Sequence, residues 1–478
     1  MWLFWTATAL AQEGGFQFVE ATTSPLDRVL SIVGLAVLVG LAWVISEARD
    51  RVQWRPVLWG VGLQLALGAV ILSPGVSEFF YTVVDGGIRQ LLSFAEEGAT
   101  FIFGTMTAHS ITTGSPADLF AGGGQSEVFV GQVSPPVKTF AFWILPTIVF
   151  FSSLMSLLYH LGVMQVVVRA IAWLMMRTLG TSGAESLSAA GNIFVGQTEA
   201  PLLVKPFVDG MTRSELMAVM TGGFATVAGG VMGAYVSFLA GVPNIAGHLV
   251  MASIMSAPAA LAIAKLMVPE VEQPKTLGTV DVEFEKNASN FIEAAALGAT
   301  EGMKLALNVA AMLIAIVGLV AMFNWMISFV PVTFCDTGVA AGYACAAGDG
   351  TPLDLSRILG WLFMPVALLM GVPWSEAQLV GQLLGEKIVL TEFVAYIHLG
   401  DALRADVPVL SERSAVITSY ALCGFANFAS IGIQLGGIGG IAPRRMGDLA
   451  SLGLKAMVAG ALAACMTGCV AGLFFVAN

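Results

Sequence analysis

Long apolar stretches alternate with short polar ones along nearly the whole chain of 478 residues. An α-helix needs about 20 consecutive apolar residues to cross the hydrocarbon core of a bilayer. Eight stretches come close to this length or exceed it, and they predict eight membrane spans. The spans cover residues 29–45, 56–72, 139–159, 215–240, 245–267, 303–329, 415–435 and 449–477.

The basic residues between these spans predict how the chain crosses the membrane. Arg49, Arg51 and Arg55 separate the first two spans, and Arg444 and Arg445 separate the last two. Cytoplasmic loops are enriched in Lys and Arg, so we expect both clusters in the cytoplasm and the N-terminus outside. Residues 76–105 mix charged and apolar positions as an amphipathic helix at the membrane interface does.

The segments outside the spans complete this topology. Residues 1–12 are apolar and end in Ala-Leu-Ala, which fits either the tail of a signal peptide or an exported tail, since the usual basic start is missing. Residues 106–137 are predicted to form an external loop, and residues 269–290 a polar cytoplasmic linker. Cys335 and Cys345 fall in another external loop, where a disulfide is possible and two free thiols are the alternative.

One apolar segment, residues 191–207, is too interrupted to cross the membrane. It reads GNIFVGQTEAPLLVKPF, with a Gln-Thr-Glu triplet between Gly196 and Pro201. An acidic side chain at the bilayer midplane costs roughly 2.5 to 3.5 kcal/mol, and broken backbone is tolerated there only in protein or beside a watery cavity. The combination is typical of a transporter binding site. We therefore interpret residues 182–207 as a re-entrant hairpin that enters from the cytoplasm.

A second hairpin is predicted within residues 355–399, which contain VLTEFVAY. The Thr-Glu pair of the first hairpin recurs here, and a Gly-Phe-Ala sequence follows each pair, as GFATVAGG at 223–230 and GFANFASIG at 424–432. The first hairpin enters from inside and the second from outside. This arrangement predicts two inverted repeats, as transporters often have.

The repeat brings polar side chains from both halves to one place near the midplane, where free backbone groups at helix breaks add further ligands. Carboxylates, amides and an aromatic face suit a neutral solute such as a sugar joined to a flat base. The alternative is that the two Glu residues only cap the hairpin tips, with Lys205 and Lys387 as ion partners, and that the aromatic ring is core. The candidate residues are Gln197, Thr198, Glu199, Thr226, Glu392, Phe425, Asn427 and Ser430.

Composition agrees with a polytopic membrane protein. The chain is 57% hydrophobic and 11% charged, whereas about a quarter of the residues of a soluble domain are charged. Basic runs are absent from the sequence, which excludes nucleic acid as a partner, and the five cysteines and four histidines lack ligand spacing. An intramembrane enzyme would need a nucleophile and base beside the two Glu residues, and none is evident. A channel or an exchanger for another solute is the second rival.

Three long motifs carry a resemblance to a known family. GQTEAPLLVKPF, TEFVAY and CGFANFASIGIQLGGIGGIAPRR resemble those of the concentrative nucleoside transporter family in its bacterial form, and the similarity runs from about Val29 onward. The resemblance implies an all-α polytopic fold with eight spans, two re-entrant hairpins and inverted repeats. It also implies a homotrimer, a scaffold part with the sixth span at the trimer centre, and a mobile transport part that moves like an elevator.

The same resemblance implies roles for individual residues. Gln197, Thr198 and Glu199 would address the nucleobase, whereas Glu392, Asn427 and Ser430 would hold ribose hydroxyls, with Phe425 and Val231 lining the pocket. A sodium site would lie between the first hairpin tip and the fourth span. Its ligands would be the side-chain oxygens of Asn192 and Thr226 and the backbone carbonyls of Val195 and Val227, and oxygen ligands suit a hard cation. Na⁺ is favoured as the coupling ion, and H⁺ is the alternative.

These observations predict a secondary active symporter that imports nucleosides across a bacterial inner (plasma) membrane, with membrane lipid around it and the N-terminus in the periplasm. The expected division of the chain is an exported tail at 1–27, mostly scaffold spans at 28–180, and the first hairpin with its following spans at 181–268. A cytoplasmic linker at 269–302, a central scaffold span at 303–352 and the second hairpin with the last two spans at 353–478 complete it.

Overall fold

The computed structural model describes residues 16, 18–19, 24–72, 76–103, 111–112, 127–128, 140–278, 288–329, 333–334, 351–405 and 407–475. The predictions for residues 1–12, for most of the loop at 106–137 and for the pairing of Cys335 with Cys345 lie outside this part. The described chain is helical apart from two pairs of two-residue antiparallel strands. These are β1 (Ile111–Thr112) with β2 (Glu127–Val128), and β3 (Thr333–Phe334) with β4 (Thr351–Pro352).

The first half of the chain contains helices α1 (Pro25–Val44), α2 (Trp54–Ile71), α3 (Val76–Phe103), α4 (Leu145–His160), α5 (Val163–Leu179), α6 (Gly183–Asn192), α7 (Lys205–Val208), α8 (Arg213–Ala225), α9 (Gly229–Phe238) and α10 (Ile245–Met267). The second half contains α11 (Phe291–Ile327), α12 (Leu355–Leu369), α13 (Trp374–Val389), α14 (Glu392–Leu403), α15 (Glu412–Leu422), α16 (Phe428–Ile441) and α17 (Met446–Phe474).

Seven of the eight predicted spans match helices, or pairs of helices, that are long and apolar enough to cross a membrane, among the described residues. The span predicted at 415–435 differs, because it consists of α15 and α16 with a break between them. The span predicted at 215–240 is likewise divided, into α8 and α9. The first interruption directly follows the Gly-Phe-Ala sequence at 223–225, and the second includes the one at 424–426.

The two predicted hairpins are present. In the first, Ser182 caps α6 in a capping box with Glu185, whose carboxylate accepts from the Ser182 N–H at 2.6 Å, as such boxes do. The chain then turns through residues 193–199, continues in a 3₁₀ turn at Ala200–Val204 and ends in α7. In the second, α13 and α14 meet at Leu390 and Thr391, and Thr391 caps α14.

The two helix breaks lie against each other. Gly424 has a φ of +121°, which strongly favours glycine, and a Cβ added there would lie 2.7 Å from the Phe224 carbonyl oxygen. Asn427 then starts α16, because its side-chain oxygen accepts from the Ser430 N–H at 2.8 Å. The unwound segment of the second repeat therefore lies directly against the C-terminal end of α8.

The order of elements confirms the predicted repeat. The series α4, α5, first hairpin, α8 with α9, and α10 recurs as α11, α12, second hairpin, α15 with α16, and α17. Helices α4 and α11 pack closely, since Ser153 and Ser156 donate to the carbonyls of Ala295 and Ala294 at 2.9 and 2.7 Å. By contrast, α1 and α2 pack on α10 and α17, beside the hairpins.

Candidate functional site

The tip of the first hairpin is joined to the second repeat through Gln197. The amide nitrogen of Gln197 donates to the Ser430 hydroxyl at 3.2 Å, and Gln434 donates to the Gln197 oxygen at 3.1 Å. The same Gln434 nitrogen donates to the backbone oxygen of Met220 at 3.0 Å. Gln197 is 7% exposed and Gln434 is fully buried. The hairpin tip is thus held by hydrogen bonds to α16 and not only by packing.

This close approach depends on a glycine in α8. A Cβ added at Gly223 would lie 2.7 Å from the Gln434 side-chain nitrogen and 2.9 Å from the Gln197 Cβ. Real side chains do not approach so closely without a shift in one partner. The glycine of the first Gly-Phe-Ala sequence therefore provides the space in which the two glutamines meet.

The carboxylate at the second hairpin tip is held from both repeats. Tyr235 of α9 donates its hydroxyl to Glu392 Oε1 at 2.9 Å, and Asn427 donates its side-chain amide to Oε2 at 2.8 Å. The Tyr235 ring stacks on Tyr396 with centroids 4.2 Å apart and an interplanar angle of 19°. These two donors fix the position of the Glu392 carboxyl group.

A continuous chain of hydrogen bonds therefore connects the two hairpin tips. It runs from Gln197 to Ser430, then to Asn427, whose oxygen caps α16, and finally to Glu392. Four predicted site residues from three separate segments of the chain are thus brought together. Their role in binding a solute stays a prediction.

The remaining candidates surround this chain at different distances. The Thr198 methyl group lies against α16, where a Cβ added at Gly437 would be 3.0 Å from it. Val231 is buried and Phe425 is half-buried. Glu199 is exposed on the hairpin surface and interacts electrostatically with Tyr159 of α4 and Glu301 of α11. Of the predicted carboxylates, Glu392 therefore lies in the hydrogen-bonded centre, and Glu199 faces α4 and α11.

Two residues of the centre were not predicted from the sequence. Gln434 follows Ser430 by four positions, so both lie on one face of α16, and this polar pair in an apolar segment could have identified it. Tyr235 gives no such signal. The two lysines considered as ion partners behave differently, because Lys205 is exposed and Lys387 donates to the Ala421 carbonyl oxygen at 2.8 Å.

The predicted cation ligands lie where the first hairpin tip meets the break between α8 and α9. Asn192 is fully buried, and neither its side-chain oxygen nor its nitrogen has a hydrogen-bond partner in the described structure. Buried polar groups are normally satisfied, and this amide is available to bind a ligand. The Thr226 hydroxyl donates to the Gly222 carbonyl at 2.8 Å and keeps its lone pairs for a cation.

Backbone oxygens can complete this site. Val195 lies in the turn of the hairpin, and Val227 lies in the break between α8 and α9, so neither belongs to a regular helix. Both residues are buried. A set of amide, hydroxyl and carbonyl oxygens suits a hard cation such as Na⁺. The residues present therefore fit the predicted sodium site.

Family models cover most of the chain. Residues 33–106 match "Na+ dependent nucleoside transporter N-terminus", residues 141–242 match "Nucleoside recognition", and residues 248–472 match "Na+ dependent nucleoside transporter C-terminus". An "Uncharacterized transporter" of Haemophilus influenzae is 42% identical over 93% of this chain and 97% of its own length.

Mammalian relatives are longer. "Solute carrier family 28 member 3" of Rattus norvegicus is 40% identical over 99% of this chain, and the chain spans 62% of that protein's length. Among solved structures, CNTnw in an inward-facing substrate-bound state is similar with a TM-score of 0.77 at 42% identity, over 93% of this chain and 97% of that one. A CNTnw variant in an outward-facing state gives a TM-score of 0.79 at 40% identity, over 95% and 99%.

Proposed function

This chain belongs to the concentrative, Na⁺-dependent nucleoside transporter family, and we propose that it is a symporter that imports nucleosides. It is a transport protein rather than an enzyme, as its relatives named sodium/nucleoside cotransporters are. We place it in a bacterial inner (plasma) membrane with a periplasmic N-terminus. The observation that carries the proposal is the chain of hydrogen bonds from Gln197 to Glu392.

The chemistry of this centre suits a nucleoside. The Glu392 carboxylate accepts from ribose hydroxyls, and the side chains of Asn427 and Ser430 can both donate to them and accept from them. Gln197 offers its amide group to the edge of a nucleobase. These groups hydrogen-bond to one another, as buried polar groups must. A bound nucleoside exchanges those hydrogen bonds for its own, so the site discriminates against solutes that cannot replace them.

The outer residues extend the same site. Thr198 and Glu199 belong to the first hairpin tip, and we assign them to the base, Glu199 through water because it lies off the hydrogen-bonded centre. Val231 and Phe425 line the pocket. The two faces of the nucleoside would thereby contact different repeats, so binding requires both hairpins in place.

The cation site explains the coupling. Asn192 and Val195 precede Gln197 in the same hairpin, and Thr226 and Val227 form the break that the hairpin tip contacts. Na⁺ bound between them fixes the tip and so presents Gln197 in its binding position. Linkage is reciprocal, so the nucleoside raises the affinity for Na⁺ by the same factor.

The contacts between helices support a division into two parts. Helices α4 and α11 form the scaffold, and most of α11 is exposed in a single chain, which leaves an apolar surface for a homotrimer centre or lipid. The hairpins, the broken spans, α10 and α17 form the transport part. Because α1 and α2 pack on α10 and α17, we now assign them to the transport part also, unlike the division expected for residues 28–180. Inward- and outward-facing structures of CNTnw support an elevator movement of this part.

Uptake of radiolabelled uridine into proteoliposomes tests the proposal. An inward Na⁺ gradient, an inward H⁺ gradient or neither is applied, and we expect saturable uptake that follows Na⁺ and fails in Asn192→Ala. Uptake that follows H⁺ would keep the family and reject the sodium site. No uptake of uridine or adenosine under any gradient would reject the substrate class, and uptake that does not saturate would indicate a channel.

Glu392→Gln tests the carboxylate. It should lose uptake yet still insert and fold, because the amide retains the size of the carboxylate without its charge. The matched control is Glu386→Gln. Glu386 is a fully buried glutamate of α13 that lies outside the centre, and its carboxylate accepts from the Ser356 hydroxyl at 2.8 Å. Normal uptake by Glu392→Gln would reject the ribose assignment.

A further inference from the structure

Lys387 is buried to 2% exposure at the end of α13, close to the tip of the second hairpin. Its ammonium group donates to the carbonyl oxygen of Ala421 at 2.8 Å and makes a longer contact of 3.5 Å with that of Cys423. Lysine is almost never fully buried unless it is paired. Burial of this group therefore needs an explanation, and the proposed function does not use it.

The two carbonyls belong to the end of a broken helix. α15 ends at Leu422, so the oxygens of Ala421 and Cys423 are among those that helix geometry leaves without an intrahelical partner. The C-terminal end of a helix carries a partial negative charge and favours a cation. The carboxyl group of Glu392 also interacts electrostatically with Lys387.

The carbonyls at the matching sequence positions of the first repeat lie within α8 and accept from other groups. Ala421 and Cys423 stand three residues and one residue before Gly424, and Met220 and Gly222 stand three residues and one residue before Gly223. The Met220 oxygen accepts from the side-chain nitrogen of Gln434, and the Gly222 oxygen accepts from the Thr226 hydroxyl.

No lysine approaches those two oxygens in the described residues of the first repeat. The residue beside the break there is Asn192, whose side-chain nitrogen lies 3.4 Å from where a Cβ at Gly222 would be, and whose polar atoms are unpartnered.

We propose that the Lys387 ammonium is a covalently tethered cation, which does at the second helix break what the coupling ion does at the first. It holds the tip of the second hairpin to the end of α15 and neutralises the charge around Glu392. This rests on the proposed sodium site at Asn192 for the comparison of the two breaks. Lys387 then holds the second hairpin permanently, and only the first hairpin depends on an exchangeable ion.

Three variants of the full-length protein separate charge from packing. Lys387→Met keeps the length of the side chain and removes the charge, whereas Lys387→Ala leaves a space that methylammonium fits. Lys387→Met/Glu392→Gln removes both charges. The first readout is the melting temperature in detergent without nucleoside, because it does not depend on transport. The second is the affinity for uridine at saturating Na⁺.

We expect both single variants to melt below the wild type. Millimolar methylammonium should restore at least half of the loss in Lys387→Ala and none in Lys387→Met, where the space is filled, and choline should restore neither. The double variant should melt above Lys387→Met, because no buried charge is left uncompensated. Uridine affinity of Lys387→Ala should fall by about tenfold or more and recover with methylammonium.

Two results would overturn the inference. One is a wild-type melting temperature for Lys387→Met, which would show that the charge does not matter. The other is a loss in Lys387→Ala that methylammonium does not reverse, which would mean that Lys387 only fills space. Failure of Na⁺-dependent uridine binding in the wild type would instead reject the proposed function, and the melting temperatures would still decide the role of Lys387.

Discussion

Replacement of Tyr235 by Phe tests whether Glu392 must be held in place for the nucleoside to bind. The substitution deletes one hydroxyl, which donates to Glu392 Oε1 at 2.9 Å, and leaves the ring and its stacking on Tyr396 intact. Tyr235 does not belong to the residues assigned to the solute. Its loss therefore affects binding only through the position and hydrogen bonding of the carboxylate.

The expected magnitude follows from the type of hydrogen bond. A hydrogen bond to a charged group contributes about 1.5 to 3 kcal/mol. Since about 1.4 kcal/mol corresponds to a factor of ten, loss of the Tyr235 bond should lower uridine affinity by about 10- to 150-fold. The lower end applies if water replaces the hydroxyl beside the carboxylate.

Tyr396→Phe is the matched control. It deletes a hydroxyl from the partner ring of the same stack, but that hydroxyl donates to the backbone oxygen of Ser419 at 2.7 Å. A neutral hydrogen bond contributes about 0.5 to 1.5 kcal/mol to stability, and its loss should leave uridine affinity nearly unchanged. Equilibrium binding of radiolabelled uridine to purified protein at saturating Na⁺ compares the two. Equal affinities for the two variants would refute the reasoning.

Three further predictions concern other parts of the centre and the segment that follows α1. Gln434→Leu should lower uridine affinity in the binding assay, because it leaves the Gln197 oxygen buried without its donor. Gly424→Ala should reduce the yield of folded protein in size-exclusion chromatography, since φ is +121° there. In Glu47, burial raises the pKa, but the hydrogen bond from Arg213 and other basic contacts outweigh it and lower the pKa of this carboxyl. Its stabilising effect is therefore present at neutral pH and lost as the pH falls below about 4.5, so the melting temperatures of wild type and Glu47→Gln should converge in acid.

Most of the fold could be predicted because apolar length is a strong signal. The fifth span was placed at residues 245–267 and α10 has those bounds. The sixth span was placed twelve residues too late, because α11 begins at Phe291 and continues through charged positions. Glu301 and Lys304 form an exposed ion pair at 2.7 Å on this helix. A span predicted from apolar residues alone leaves out these charged positions, although the helix continues through them.

The candidate site could be predicted less completely. Its polar residues were identifiable because each is costly in an apolar segment, and the repeat indicated that the two hairpins meet. The direction of each side chain was not predictable in the turn at the first hairpin tip, where no helical period applies. For that reason Gln197 and Glu199, two positions apart, were grouped together, although the structure directs one to the second repeat and the other to α4 and α11.

The way in which the hydrogen bonds cross between repeats has a consequence for mechanism. Gln434 of the second repeat satisfies the Met220 oxygen of the first, and Tyr235 of the first repeat satisfies Glu392 of the second. Buried polar groups without a partner are costly, and here each half supplies a partner for a buried group of the other. Each hairpin is therefore also supported by groups of the opposite repeat. If the proposed nucleoside site is correct, a solute that exchanges bonds at this centre would alter the support of both hairpins at once, as coupling of nucleoside and ion requires.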